Sequence, residues 1–200
     1  MKHAEQNALT DQKIKEAFIQ LIEEVGFNKL TISDIARQAG ISRGTFYVHY
    51  VDKYDLLNKI EDTIFAELSQ ILADHLNEPF LARTDDDIAS STYQAFSYCL
   101  NFVDSERATI RALFSQKGDP QFFERVKQLI EHLFSQKLAE LNGHFSTVIP
   151  IYYSREIAIS NLLNIVRHWL NKTNPETPDE LAEILMRSRL LAPRDLLVFD

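Results

Sequence analysis

A single cysteine, Cys99, stands in 200 residues, which excludes an intrachain disulfide framework and makes the thiol of the run SYCLNF a small buried hydrophobe by expectation. Glycine and proline are scarce, at 5 and 6 residues, and alternating β-branched runs are nearly absent, which excludes a strand-rich fold. The one β-like stretch, 146–153, is interrupted by Pro150 and is expected to be a loop leading into a helix. No run of 18 or more apolar residues exists, and the apolar positions of 1–25 alternate with charges. Neither a membrane span nor a signal peptide is therefore expected, and the chain is placed in the cytoplasm. The parts of familiar enzymes are missing too: there is no Gly-rich phosphate loop, H-E-x-x-H, Cys-x-x-Cys or G-x-S-x-G. His75, His132, His144 and His168 are not spaced as ligands on one helix, so no catalysis, metal or cofactor is expected.

What the chain has instead is helical patterning, with 45% hydrophobic and 25% charged residues, enough for one sizeable core or for a small domain plus a larger one. A first stripe, Ile14, Phe18, Leu21, Ile22 and Val25, ends at Gly26 and Phe27. The next stretch, TISDIARQAGISRGTFYVHYVDKYDLL (31–57), holds two short helical patterns separated by one glycine. Thr31 and Asp34 form a capping pair ahead of the apolar face Ile32, Ile35, Ala36 and Ala39, and Gly40 turns the chain. Ser42 caps the second helix, about 43–50, in which Phe46 and Tyr50 face the core. Arg43, Gly44, Thr45, Tyr47 and His49 are left outward.

That outer face suits a DNA major groove. Arg43 can bond phosphate or guanine, Gly44 permits close backbone approach, Thr45 offers a methyl and a hydroxyl, and Tyr47 offers a phenolic donor. Amides at the helix starts near Thr31 and Ser42 suit phosphate oxygens, and Lys53 can add a third anchor. The formal net charge of -8 is unfavourable, yet 29–53 carries four basic residues against two acidic ones, leaving +2 locally. With a Debye length of about 8 Å at physiological ionic strength, a remote acidic body penalises that surface weakly.

These residues resemble the DNA-binding region of the TetR family of bacterial transcriptional regulators, whose pattern is T-x-x-x-I-A-x-x-A-G-[IV]-S-x-G-T-[FL]-Y-x-[HY]-[FY]-x-x-K-x-x-L-L. Thr31, Ile35, Ala36, Ala39, Gly40, Ile41, Ser42, Gly44, Thr45, Phe46, Tyr47, His49, Tyr50, Lys53, Leu56 and Leu57 stand where that pattern wants them. The resemblance implies an all-α protein: a three-helix head (1–55) joined by a long helix to a helical effector-binding and dimerisation domain (56–200). The long helix carries Leu56, Leu57, Ile60, Ile64, Phe65, Leu68, Ile71 and Leu72 at helical spacing. Further helices are expected at about 86–103, 106–116, 120–141, 153–172 and 178–190, with Asp85, Asp86 and Asp87 as helix-start charges.

The last two helices look like the family's dimerisation bundle, with Ile165, Trp169, Leu170, Leu181 and Leu185 as interface residues. A twofold dimer would present two recognition helices to palindromic half-sites one DNA turn apart, roughly 34–36 Å. Among the ring-bearing residues of the middle, Tyr93, Phe96, Phe102, Phe114, Phe122 and His168, with Cys99 as a polar partner, are candidates for an effector pocket. The expected function is a ligand-responsive repressor acting as a homodimer on double-stranded DNA, with no membrane partner. An activator, a regulator answering to a partner protein, or a DNA-anchored scaffold are the alternatives.

Overall fold

The computed structural model describes residues 2–75, 85–140 and 142–188, and among these every regular element is an α-helix. In chain order they are α1 (Lys2–Val25), α2 (Ile32–Gln38), α3 (Arg43–His49), α4 (Lys53–His75), α5 (Asp85–Ser105), α6 (Arg107–Phe114), α7 (Phe122–Glu140), α8 (Ile151–Leu170) and α9 (Pro178–Ser188). The five helices expected beyond the long one occur, each within two residues of its expected bounds. Pro150 stands at the N-cap of α8, where its fixed φ suits a helix start. Residues 76–84, between α4 and α5, lie outside the described residues.

Two compact units form. The first holds the residues up to Ala66 together with Ala108–Arg125. Its core joins Ile14, Phe18 and Ile22 of α1, Ile35 of α2, Phe46 of α3, Leu56 and Ile64 of α4, and Ile110, Leu113 and Phe122 from the later segment. Phe27 stands edge-on to Phe18 at 6.1 Å and to Tyr54 at 5.3 Å. Val25 departs from the expected stripe: it is exposed, being the last residue before Gly26 swings the chain away.

Segment 108–125 is tied to α1 by polar contacts as well. Helix α1 has no basic residue in its last turn, and Lys117 supplies one from afar, its Nζ donating to the carbonyls of Glu23 (2.8 Å) and Glu24 (3.0 Å). The backbone N–H of Phe27 donates to the Lys117 carbonyl at 2.8 Å, and Arg111 holds Glu23 at 2.6 Å. Phe114 and Phe122, expected in an effector pocket, are instead packed in this unit, 5.1 Å apart, with Phe122 5.5 Å from Phe65 of α4. Of the same expected set, Tyr93, Phe96, Cys99 and Phe102 lie on α5 and His168 on α8, in the second unit, and His168 is exposed.

The second unit holds Glu67–Arg107 and the residues from Val126 on. Helix α9 starts on a capping box, Thr177 with Glu180, and packs along α5, where Ser97 donates to Asp179 at 2.8 Å. The Trp169 indole N–H donates to the Glu176 carbonyl at 2.7 Å, and the Arg107 guanidinium lies 3.8 Å from the Trp169 ring while bonding Asp104 at 2.7 Å. Trp169, Leu170, Leu181 and Leu185 are therefore core residues of one chain rather than interface residues, and Ile165 is half-buried. Large apolar side chains that α8 and α9 leave outside are Ile151, Tyr152, Tyr153 and Ile157 on α8 and Ile184 on α9. Burial pushes the Cys99 thiol up to about 12, so it stays protonated and behaves as a hydrophobe.

One carboxylate is held against its preference. Glu61 of α4 is fully buried, ion-paired to Arg125 through Oε2, and has Oε1 without a hydrogen-bond partner. Burial pushes its carboxyl from 4.5 up to about 7 against the pull of Arg125, with Asp119 and Asp62 adding to the rise. A carboxyl whose folded-state value is raised favours folding below its unfolded value and loses that contribution as pH rises towards 7. Glu61→Gln should therefore gain on the wild type between pH 5 and pH 8, by on the order of 1–3 kcal/mol in urea melts. A constant gap between the two proteins across that range would contradict the assignment.

Candidate nucleic-acid interface

Two local devices build the corner between α2 and α3. Thr31 caps α2 reciprocally: its Oγ accepts the Asp34 N–H at 3.2 Å, while Asp34 Oδ2 accepts the Thr31 N–H at 3.1 Å and its hydroxyl at 2.7 Å. Those bonds from Thr31, helped by Arg37 at 2.6 Å, hold the Asp34 carboxyl below its usual range. At the other end Gly40 takes φ +67°, with Ile41 N–H donating to the Ala36 carbonyl at 2.9 Å and Gly40 N–H to that of Arg37 at 3.2 Å. This is a Schellman turn, and a side chain at Gly40 would be strained in it. Ser42 then caps α3 by accepting the Thr45 N–H at 3.0 Å.

Helix α3 is fixed from behind. Phe46 is fully buried, and the buried Tyr50 donates its hydroxyl to Asp11 of α1. Burial, and then the Asp11 carboxylate, hold the Tyr50 phenol well above its usual range, so it remains a donor at any working pH. Burial raises Asp11 in turn, but the bonds from Tyr50 and Lys15 outweigh it and leave the carboxyl below its usual range.

The side of α3 left in solvent carries Arg43, Gly44, Tyr47 and Val48, the last two 50% and 78% exposed. Arg43 Nη2 lies 3.4 Å from the Tyr47 hydroxyl, so a guanidinium and a phenol stand side by side. A Cβ on Gly44 would meet only Ser42 Oγ, at 3.5 Å, an ordinary contact. The chain itself has no steric need for glycine there.

Three expected DNA contacts are placed differently. The Thr45 hydroxyl pairs with Ser42 Oγ at 2.9 Å and the residue is half-buried, as part of the cap. His49 turns inward: its side chain is 7% exposed, Nδ1 lies 3.8 Å from Asp11, and the ring stacks on Tyr50. Lys53 is spent on the loop after α1, its three N–H donors meeting the carbonyls of Phe27 (2.9 Å), Asn28 (3.2 Å) and Leu30 (3.1 Å), with the ammonium over the Phe27 ring. Thr31 and Ser42 stay exposed, with their side chains closing caps. Val48 was missed; the signal was its helical spacing, four residues from Gly44 on the outward stripe.

A capped helix, a glycine corner and a second helix with a cationic, aromatic and apolar outer face define a helix-turn-helix DNA-binding protein. The profile described as "Bacterial regulatory proteins, tetR family" matches residues 14–60, and that described as "Transcriptional regulator C-terminal region" matches 90–189. The chain belongs to the TetR family of bacterial transcriptional regulators. It is 22% identical over 176 residues to the HTH-type transcriptional regulator YxbF of Bacillus subtilis (strain 168), covering 86% of this chain and 43% of that one, so the match spans less than half of that relative. A TetR transcriptional regulator from Streptococcus agalactiae 2603V has the same fold, with a TM-score of 0.62, 24% identity and coverage of 94% and 97%. So does NalD of Pseudomonas aeruginosa, with a TM-score of 0.63, 22% identity and 98% of both chains covered. Among the described residues no cluster of His, Cys, Asp or Glu could hold a metal ion, and no helix is long and apolar enough to cross a membrane.

Lys53→Met should lower stability by about 2–4 kcal/mol by leaving three carbonyls without their charged donor, while the salt dependence of operator binding keeps its slope. A slope reduced by about one, with an unchanged melt, would make Lys53 a phosphate contact after all. Gly44→Ala should melt at or above the wild type, since alanine favours a helix by up to about 1 kcal/mol, and yet bind operator at least tenfold more weakly in gel shifts. Undiminished binding would remove the close backbone approach assigned to Gly44.

Proposed function

We propose that this regulator is a repressor that binds a palindromic operator as a homodimer and is released by a small-molecule effector. The observation that carries the reading is the outer face of α3, where Arg43, Gly44, Tyr47 and Val48 are exposed on a helix whose rotation is locked by Phe46 and Tyr50. Residues 1–55 read DNA in this account, and 56–200 sense and pair, with Ala108–Arg125 packed as part of the compact unit that holds the head. Repression is supported by the likeness to NalD, described as the secondary repressor of a multidrug efflux pump. An effector that favours the spacing unable to span two half-sites lowers operator affinity by its differential affinity for the two states, typically about 1–3 kcal/mol. Thr45, His49 and Lys53 act in this account as supports of the reading helix.

Footprinting of bound genomic fragments tests the assignment. A protected palindrome overlapping a promoter fits a repressor; one lying upstream of the promoter makes the protein an activator instead. Many scattered sites without effect on transcription would leave only the scaffold.

Pairing is assigned to the outer faces of α8 and α9, which carry Ile157 and Ile184, 61% and 41% exposed in the single chain. Ile157→Glu and Ile184→Arg should shift sedimentation from dimer to monomer and weaken operator binding, with little change in the melt of the chain. Leu170→Glu should instead destabilise the fold by several kcal/mol, because it places an unpaired charge in the core. Dimers that persist in both isoleucine variants would move the interface elsewhere.

A further inference from the structure

The buried stripe of α8 runs Ile159, Leu163, Val166, Trp169 and Leu170. Four residues before Ile159, in the same register, stands Arg155. It is half-buried; its Nε is closed to solvent and has no hydrogen-bond partner, and its guanidinium lies 5.6 Å from the centre of the Phe145 ring. Among the described residues no carboxylate stands within ion-pair distance of it. The nearest acid in sequence, Glu156, is engaged by Lys127 at 2.6 Å and by the Ser160 hydroxyl at 2.6 Å.

The other half-buried, ring-stacked arginines differ in one respect. Arg107 lies over Trp169 and is held by Asp104; Arg125 lies over Phe65 and is held by Glu61. Arg155 has the ring without the acid. A guanidinium does not shed its proton, so burial cannot be relieved by neutralisation. Arg43 also has no carboxylate partner among the described residues, and it stands on the DNA face, where phosphates bring the negative charge.

We propose that Arg155 is the anchor for the carboxylate of a small amphipathic acid, gripped through its guanidinium N–H groups, with the apolar body of the molecule against Phe145. This deepens the effector reading above and rests on it. The N–H fork of a guanidinium matches the two oxygens of a planar carboxylate. One cation also balances one negative charge, whereas a phosphate monoester would bring close to two. The nearby ammonium of Lys127 is already opposed by Glu156.

The test uses the full chain, with calorimetric titration and thermal melts. The probes are decanoate and 2-naphthoate, their uncharged counterparts decanol and 2-naphthalenemethanol, and decyl phosphate, each with wild type, Arg155→Leu and Arg155→Lys. At least one carboxylate should bind the wild type and lose tenfold or more in Arg155→Leu. Arg155→Lys, which keeps the charge but not the fork, should fall between the two, and the matching alcohol should bind all three proteins alike. Without ligand, Arg155→Leu should melt at or above the wild type, because an uncompensated cation has been removed.

Equal carboxylate affinity in wild type and Arg155→Leu overturns the proposal, as does failure of both carboxylates to bind the wild type at millimolar concentration. Tighter binding of decyl phosphate than of decanoate overturns the carboxylate assignment. Operator gel shifts keep the two readings apart. An acid that binds through Arg155 and leaves operator affinity unchanged upholds the anion site and removes the effector role.

Discussion

The reading surface depends on how a seven-residue helix is held in rotation. Two turns of helix are not stable in water on their own, because the nucleation cost exceeds what so few bonds return. Helix α3 therefore takes its existence from the Ser42 cap and its orientation from what lies behind it: the ring of Phe46 and the Tyr50 hydroxyl on Asp11. Because Phe46 and Tyr50 are four residues apart, they fix one line along the helix, and the opposite line becomes Gly44, Tyr47 and Val48 by geometry alone. The face that α3 can offer to DNA is set by that line.

The caps and corners of this line were legible in the sequence because they are local. Thr31 with Asp34, Gly40, and Ser42 with Thr45 complete their bonds within three to five residues, so residue type and spacing determine them. The same holds for helix bounds set by Pro150 and Pro178. What was not legible is what reaches across the chain. Lys53 and His49 are outward on a helix diagram, and only the fold brings the carbonyls of 27–30 and the carboxylate of Asp11 to them. The apolar stripe around Trp169 and Leu170 was identified correctly as a stripe. Its partner was not, since burial against the same chain and burial against a second copy leave the same periodicity. Phe114 and Phe122 met the same ambiguity: Phe122 is core of the first unit, and the half-buried Phe114 packs against it.

Charge on the head is more economical than composition implies. Of the four basic residues between 29 and 53, Lys53 faces inward to carbonyls and Arg37 is tied to Asp34, which leaves Lys29 and Arg43 exposed without a carboxylate partner among the described residues. A surface with few outward cations gains little from counterion release. In the proposed dimer, discrimination between sequences would fall to the shape and chemistry of the α3 face, and duplication of that face would raise affinity without adding non-specific attraction to each head.

The docking of Ala108–Arg125 onto the first helices bears on how such proteins diversify. A head whose α1 carbonyls are closed by Lys117 and whose Glu23 is answered by Arg111, and which runs on into an α4 whose buried Glu61 is answered by Arg125, is not a detachable cassette. Recombination that joined this head to a foreign body at the long helix would strand those groups. A working chimera has to import the later segment with the head, so the unit of exchange is discontinuous in the gene although continuous in space.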